Sequence, residues 1–114
     1  MRDKVRDMER LSHILHAIEN IERFQEGKTR EDFVYDSMLF HAVVNNLCNL
    51  GEAAYKLTHE FRESHPGTEW KNIIGMRHYL VHGYYQVSLD IIWETVTDDL
   101  RELKHQIQNY IKEQ

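Results

Sequence analysis

One cysteine, one proline and five glycines among 114 residues exclude a good deal. Cys48 stands alone, so no internal disulfide can form, and a reducing cytoplasm is the expected home. So little proline and glycine argues against a turn-rich sandwich or barrel and for long helices. No apolar run reaches the about 18 residues of a membrane span. The start, Met1-Arg2-Asp3-Lys4, leads into a charged amphipathic segment and does not read as a signal peptide. Positive charge is also scarce. Lys and Arg number 14 against 19 Asp and Glu, a formal net charge of −5. Nucleic acid is not attracted by such a chain in bulk, so binding it requires a local pocket set against the overall field.

What is present suits a folded helical protein. Hydrophobic residues make up 41% of the chain, too many for a disordered tail. The length fits one domain, residues 1–114, which buries roughly two-thirds of its unfolded surface without needing disulfides or metals. There are eight histidines; adding eight protons to −5 gives +3, so acidification reverses the sign of the surface field.

Apolar spacing predicts four main helices. The first covers residues 3–26, with Met8, Leu11, Leu15, Ile18, Ile21 and Phe24 on one stripe and Gly27 as its stop. The second starts at Thr29 or Asp32, where Thr29-Arg30-Glu31-Asp32 has the form of a capping box, and runs to Phe61. Leu39, Val43, Leu47, Leu50, Ala54, Leu57 and Phe61 give it the best periodicity in the chain. Its expected length is about 45 Å. Gly51 inside it offers either close helix contact or a slight bend. Ser64-His65-Pro66-Gly67-Thr68 is the clearest break, with Thr68 as expected N-cap for a third helix over 69–81. Gly83 interrupts that pattern, residues 84–87 read as a loop, and Ser88 caps a last helix carrying Ile92, Val96, Leu100, Leu103, Ile107 and Tyr110. No strand pattern, repeat or linker competes. The expected fold is all-α, an antiparallel up-and-down bundle of four main helices.

Several motifs have ordinary explanations. Gly27-Lys28-Thr29 resembles the end of a phosphate loop, but Glu22 occupies the place of the required earlier glycine and no strand precedes it. Cys48 has no basic residue one turn away on its own helix and reads as a packed thiol. His13 with His16, and His78 with His82, have metal-pair spacing, but no third ligand and no H-E-x-x-H pattern accompany them. Tyr79, Tyr84 and Tyr85 read as helix-end aromatics with wet hydroxyls. The acidic stretch over 94–102 reads as a solvated face.

The segment over 75–84 is different. It sets Arg77, His78, Tyr79, His82 and Tyr84 at the end of an apolar helix and across its break. Arginine keeps its charge and matches phosphate geometry. Histidine moves protons near neutrality. Together they supply what phosphodiester cleavage without a metal requires: stabilisation of charge on the phosphoryl oxygens, and proton transfer at a ribose 2′-hydroxyl or at the leaving oxygen. Arg77 and His82 stand about 140° apart on an ideal helix. They converge if the helix distorts near Gly83 or if a second chain contributes.

Arg77-x4-His82-x-Tyr84 resembles the R-x4-H-x-Y motif of the HEPN superfamily, specifically the HepT-like toxins of bacterial and archaeal toxin–antitoxin pairs. Leu50-Gly51-Glu52-Ala53-Ala54 resembles the family's GEA stretch. WKNIIGMRHYLVHGY, from Trp70 to Tyr84, resembles its "W..I.GMRN.L.HGY" segment. Leu89-Asp90-Ile91-Ile92-Trp93 resembles the opening of its last helix. The likeness covers about residue 36 to the C-terminus. There are two departures: His78 stands where Asn or Asp is usual, and Ser88 where Asp is common.

The resemblance implies a homodimer whose two motifs face each other across a cleft, so that two copies of Arg77 and His82 supply both acid and base. It implies a ribonuclease that cleaves RNA by 2′-hydroxyl attack, leaves a cyclic phosphate, and requires no metal or other cofactor. It implies a partner, an MNT-type nucleotidyltransferase antitoxin that in some members transfers AMP from ATP onto the motif tyrosine, here Tyr84. Negative charge and bulk added there would exclude the substrate phosphate. Arg77 and His82 are therefore the expected catalytic residues, Tyr84 the modification target and His78 an auxiliary. Glu52 is either a support for the site or an ordinary helix-face acid. Two other readings are a non-catalytic helical module that docks a nucleotidyltransferase, and a metal-binding bundle using His78 and His82.

Overall fold

The computed structural model describes residues 2–83 and 87–113, and these are helical apart from short connections. Helix α1 spans Arg2–Gln25 and stops where expected. Gly27 takes a φ of +73°, a left-handed conformation that side chains disfavour, and the Lys28 amide donates to the Gln25 carbonyl at 2.9 Å. Its buried face is Leu11, Ile14, Ala17, Ile18 and Ile21. Leu15 is only half-buried and Phe24 is exposed, so the stripe is rotated slightly from the one read in the sequence.

The 30-residue second helix is corrected to three. α2 covers Arg30–Tyr35, α3 covers Ser37–Lys56 and α4 covers His59–Ser64. The Thr29 capping box forms as expected: the Thr29 amide donates to Asp32 Oδ2 at 2.7 Å, and the Asp32 amide donates to Thr29 Oγ1 at 3.3 Å. Asp36 then breaks the helix by capping α3, accepting from the Leu39 amide at 3.0 Å. Thr58 breaks it again by accepting from the Phe61 amide at 3.1 Å. Short polar side chains offer the backbone a local alternative to helix continuation. At Thr58 the break is also held from outside. The buried carboxylate of Asp7 on α1 accepts from the Thr58 amide at 2.8 Å and from its hydroxyl at 2.7 Å.

Helix α5, Trp70–His82, has no side-chain cap. Thr68, expected to cap it, is instead buried: its hydroxyl donates to Gln106 Oε1 at 2.7 Å and lies 2.6 Å from the Tyr110 hydroxyl. Two half-buried partners on the last helix outcompete one backbone amide. Ser88 does cap its helix, accepting from the Ile91 amide at 3.4 Å. That helix runs as α6, Leu89–Glu94, through a π-helical turn at Thr95–Asp99, into α7, Leu100–Glu113. Thr95 and Thr97 each donate to the carbonyl four residues earlier, at 2.7 Å, a competition that bends helices. Ile92, Val96 and Leu100, spaced by four, stay buried across the widened turn.

These helices form an all-α bundle around one buried cluster that includes Leu11, Ile18, Val43, Leu47, Leu80, Ile92 and Ile107. α1 and α3 run in opposite directions, since Asp7 meets Thr58 at one end and Asn20 Nδ2 donates to Asn46 Oδ1 at the other. At the end beside Pro66, Phe61, His65, Trp70 and Tyr110 pack ring against ring. The site below depends on α3 lying close against α5.

Candidate active site

Gly51 sets the distance between α3 and α5. A Cβ at this position would stand 2.5 Å from the Arg77 Cβ and 3.3 Å from the Ile73 carbonyl oxygen. Of the two roles open to Gly51, close contact is the one the structure uses. The adjacent residue, Glu52, receives the arginine: Arg77 Nε lies 2.6 Å from Glu52 Oε2. Both side chains are about one-third exposed, at 35% and 37%. The guanidinium is therefore anchored at one nitrogen and open to solvent elsewhere, which suits an incoming phosphate. Glu52 is thus a residue that positions Arg77.

Cys48 lies one turn before Glu52. Burial pushes its thiol up from the ordinary value, and the positive charge of Arg77 pulls it partly back. The cation missing from its own helix comes across from α5. Burial is the larger effect, so the thiol remains a packed group rather than a nucleophile.

His78 and His82 occupy the exposed flank of α5, their ring centroids 4.4 Å apart and their planes tilted by 44°. His78 is therefore in contact with the expected acid/base. The helix stays α-helical through His82, and the break comes only afterwards, where the Gly83 amide donates to the Tyr79 carbonyl at 2.8 Å. No distortion swings His82 toward Arg77, so the separation of about 140° persists within the chain. A Cβ at Gly83 would stand 2.8 Å from the Tyr79 carbonyl oxygen, so a larger residue does not fit that ending. The Tyr79 hydroxyl accepts from the Ser88 amide at 2.8 Å, tying the start of the last helix back to α5. Tyr84, the expected modification target, lies outside the described residues.

Among the described residues, no three His, Cys, Asp or Glu side chains form a group that could hold a metal. His13 and His16 lie apart from His78 and His82, exposed on α1 beside a groove. No described helix is long and apolar enough to cross a membrane. The sequence pointed to Arg77, His78 and His82 by residue type, but the docking of Arg77 on Gly51 and Glu52 links positions about 25 residues apart. The only sequence signal for it was the resemblance at the GEA stretch.

Comparison with known proteins places the chain in a family. The family described as "Ribonuclease HepT-like" matches residues 14–110, which include every residue of the site. The chain is 40% identical over 104 residues to the "Putative RNase TTE0752" of Caldanaerobacter subterraneus subsp. tengcongensis, covering 91% of this chain and 93% of that one. It is 36% identical over 94 residues to the "Probable ribonuclease HepT" of Thermococcus cleftensis, covering 82% and 86%. It is 38% identical over 103 residues to the "Gamma-glutamylcyclotransferase and putative RNase MJ0434" of Methanocaldococcus jannaschii, covering 90% of this chain and 46% of that one. No solved structure matches the chain significantly. With a helical bundle that fixes Arg77 between Gly51 and Glu52 and carries His82 exposed on the same helix, the chain belongs to the HepT-like ribonuclease family.

Proposed function

We propose that this ribonuclease cleaves single-stranded RNA by internal transesterification in a cleft shared by two copies of the chain. The observation that carries the reading is the guanidinium of Arg77, held by Glu52 yet open to solvent, five residues before an exposed His82 on a regular helix. One chain directs the two groups apart, and a second copy placed motif to motif brings an arginine and a histidine to the same phosphate.

In the reaction, His82 of one protomer takes the proton of the ribose 2′-hydroxyl. The 2′-oxygen attacks phosphorus, a new P–O bond forms and the P–O5′ bond breaks. A protonated His82 from the other protomer gives its proton to the departing 5′-oxygen. Arg77 stabilises the charge that builds on the non-bridging oxygens. The products are a 2′,3′-cyclic phosphate and a free 5′-hydroxyl. We further propose that the protein acts as the toxin of a toxin–antitoxin pair in the cytoplasm. Its activity would be restrained by an MNT-type nucleotidyltransferase that adenylates Tyr84.

A substrate with one 2′-deoxy nucleotide at a mapped cleavage site tests the chemistry. Cleavage at that position should disappear while neighbouring sites remain. Equal cleavage of the deoxy substrate would rule out 2′-hydroxyl attack.

A further inference from the structure

The flank where α1 and α3 run antiparallel carries an open groove of about 560 Å³ that meets the candidate active site at Glu52. Its floor is low because Ala17 and Ala53 are small. No lining side chain is a large hydrophobe; the walls are formed by arginine, lysine, histidine, glutamate and four asparagines.

The charges favour a polyanion. Arg10 and Lys56 line the groove, and Arg77 stands at its edge through the ion pair with Glu52. Glu52 is the one acid in the lining, and it is occupied by Arg77 at 2.6 Å and by Lys56 at 3.6 Å. Here the fixed charge is positive, although the chain as a whole carries −5. This is the local pocket that an acidic nucleic-acid-binding protein requires.

The amides favour bases. Asn20 and Asn46 bond to each other and form part of the structure. Asn45 and Asn49 are exposed, one turn apart on α3. A carboxamide presents a donor and an acceptor side by side, the pattern of a base edge, and single-stranded RNA leaves those edges free. From residue 45 to residue 56 the groove follows α3 for about 16 Å, long enough for several nucleotides.

We propose that this groove binds the single-stranded segment of the substrate adjoining the scissile phosphate. Arg10 and Lys56 contact its phosphates, and Asn45 and Asn49 contact its bases. The inference rests on the ribonuclease reading above, and two measurements separate them. In the first, the His82→Ala protein is photocrosslinked to a 4-thiouridine-containing RNA and the attached peptides are mapped. Crosslinks should fall within residues 10–20 and 45–56. In the second, the Asn45→Ala/Asn49→Ala and Arg10→Ala proteins cleave a short RNA with a mapped site. KM should rise at least tenfold while kcat stays within about threefold of wild type. Circular dichroism verifies that each variant is folded.

If wild type cleaves RNA but crosslinks map elsewhere and KM is unchanged, the groove proposal fails alone and the face is free for a protein partner. If crosslinks map to the groove but wild type never cleaves, the groove stands as an RNA site and the ribonuclease reading fails. Neither cleavage nor crosslinking would overturn both.

Discussion

Arg77→Ala should lower RNA cleavage by about 100- to 1,000-fold, the usual cost of removing one donor to a developing oxyanion. Stability should hardly change. The ion pair with Glu52 is one-third exposed on both sides, and such pairs contribute under about 1 kcal/mol. Alanine also keeps the Cβ that packs over Gly51. Arg77→Lys should recover little, because an ammonium cannot bond Glu52 from one nitrogen and present a fork to phosphate with the others. Cleavage rates at saturating RNA, with melting curves alongside, check both halves. A variant with full activity would remove Arg77 from the chemistry. A variant that is inactive and unfolded would make its role structural.

Gly51→Ala should harm both stability and activity, and the sign follows from two opposed magnitudes. Alanine gains about 1 kcal/mol over glycine inside a helix. Overpacking a tight contact costs about 1–3 kcal/mol. The atom met at 2.5 Å is the Arg77 Cβ, fixed to its backbone, so it cannot swing aside as a flexible chain end can. α3 and α5 must separate instead. A net loss of up to about 2 kcal/mol and a melting point lower by up to several degrees are expected. Cleavage should fall too, because Arg77 moves off its seat beside Glu52. A raised melting point with unchanged cleavage would show that the two helices do not need this contact.

Where the determinants were local, the sequence was enough. The 3.6-residue period placed the main helices, Thr29-x-x-Asp32 marked a capping box, and Ser88 marked a cap. Where they were tertiary, it was not. The periodicity of the second segment runs unbroken from Leu39 through Thr58 to Phe61, yet Asp36 and Thr58 both end helices, and at Thr58 the deciding partner is Asp7, 51 residues earlier. Thr68 sits where a cap belongs, but its hydroxyl turns to residues 38 and 42 positions away. The π-helical turn was equally hidden, since spacings of four at Ile92, Val96 and Leu100 suit an α-helix and a widened turn alike.

The candidate site divides in the same way. Residue type singled out Arg77, His78 and His82 on one short helix. No residue one turn from Cys48 on α3 is basic, whereas the cation beside it comes from α5. The groove was invisible because it belongs to two helices, each with an ordinary polar face.

On our proposal, His82 performs the proton transfers of an RNA cleavage that needs no metal. This role is tested most directly by incubating total cellular RNA with purified protein in EDTA, wild type beside His82→Ala. Fragments ending in 2′,3′-cyclic phosphate are expected from wild type, with a loss of about 100- to 10,000-fold in the variant while its fold stays intact. Equal cleavage by both proteins, or cleavage that stops when EDTA is added, would contradict it.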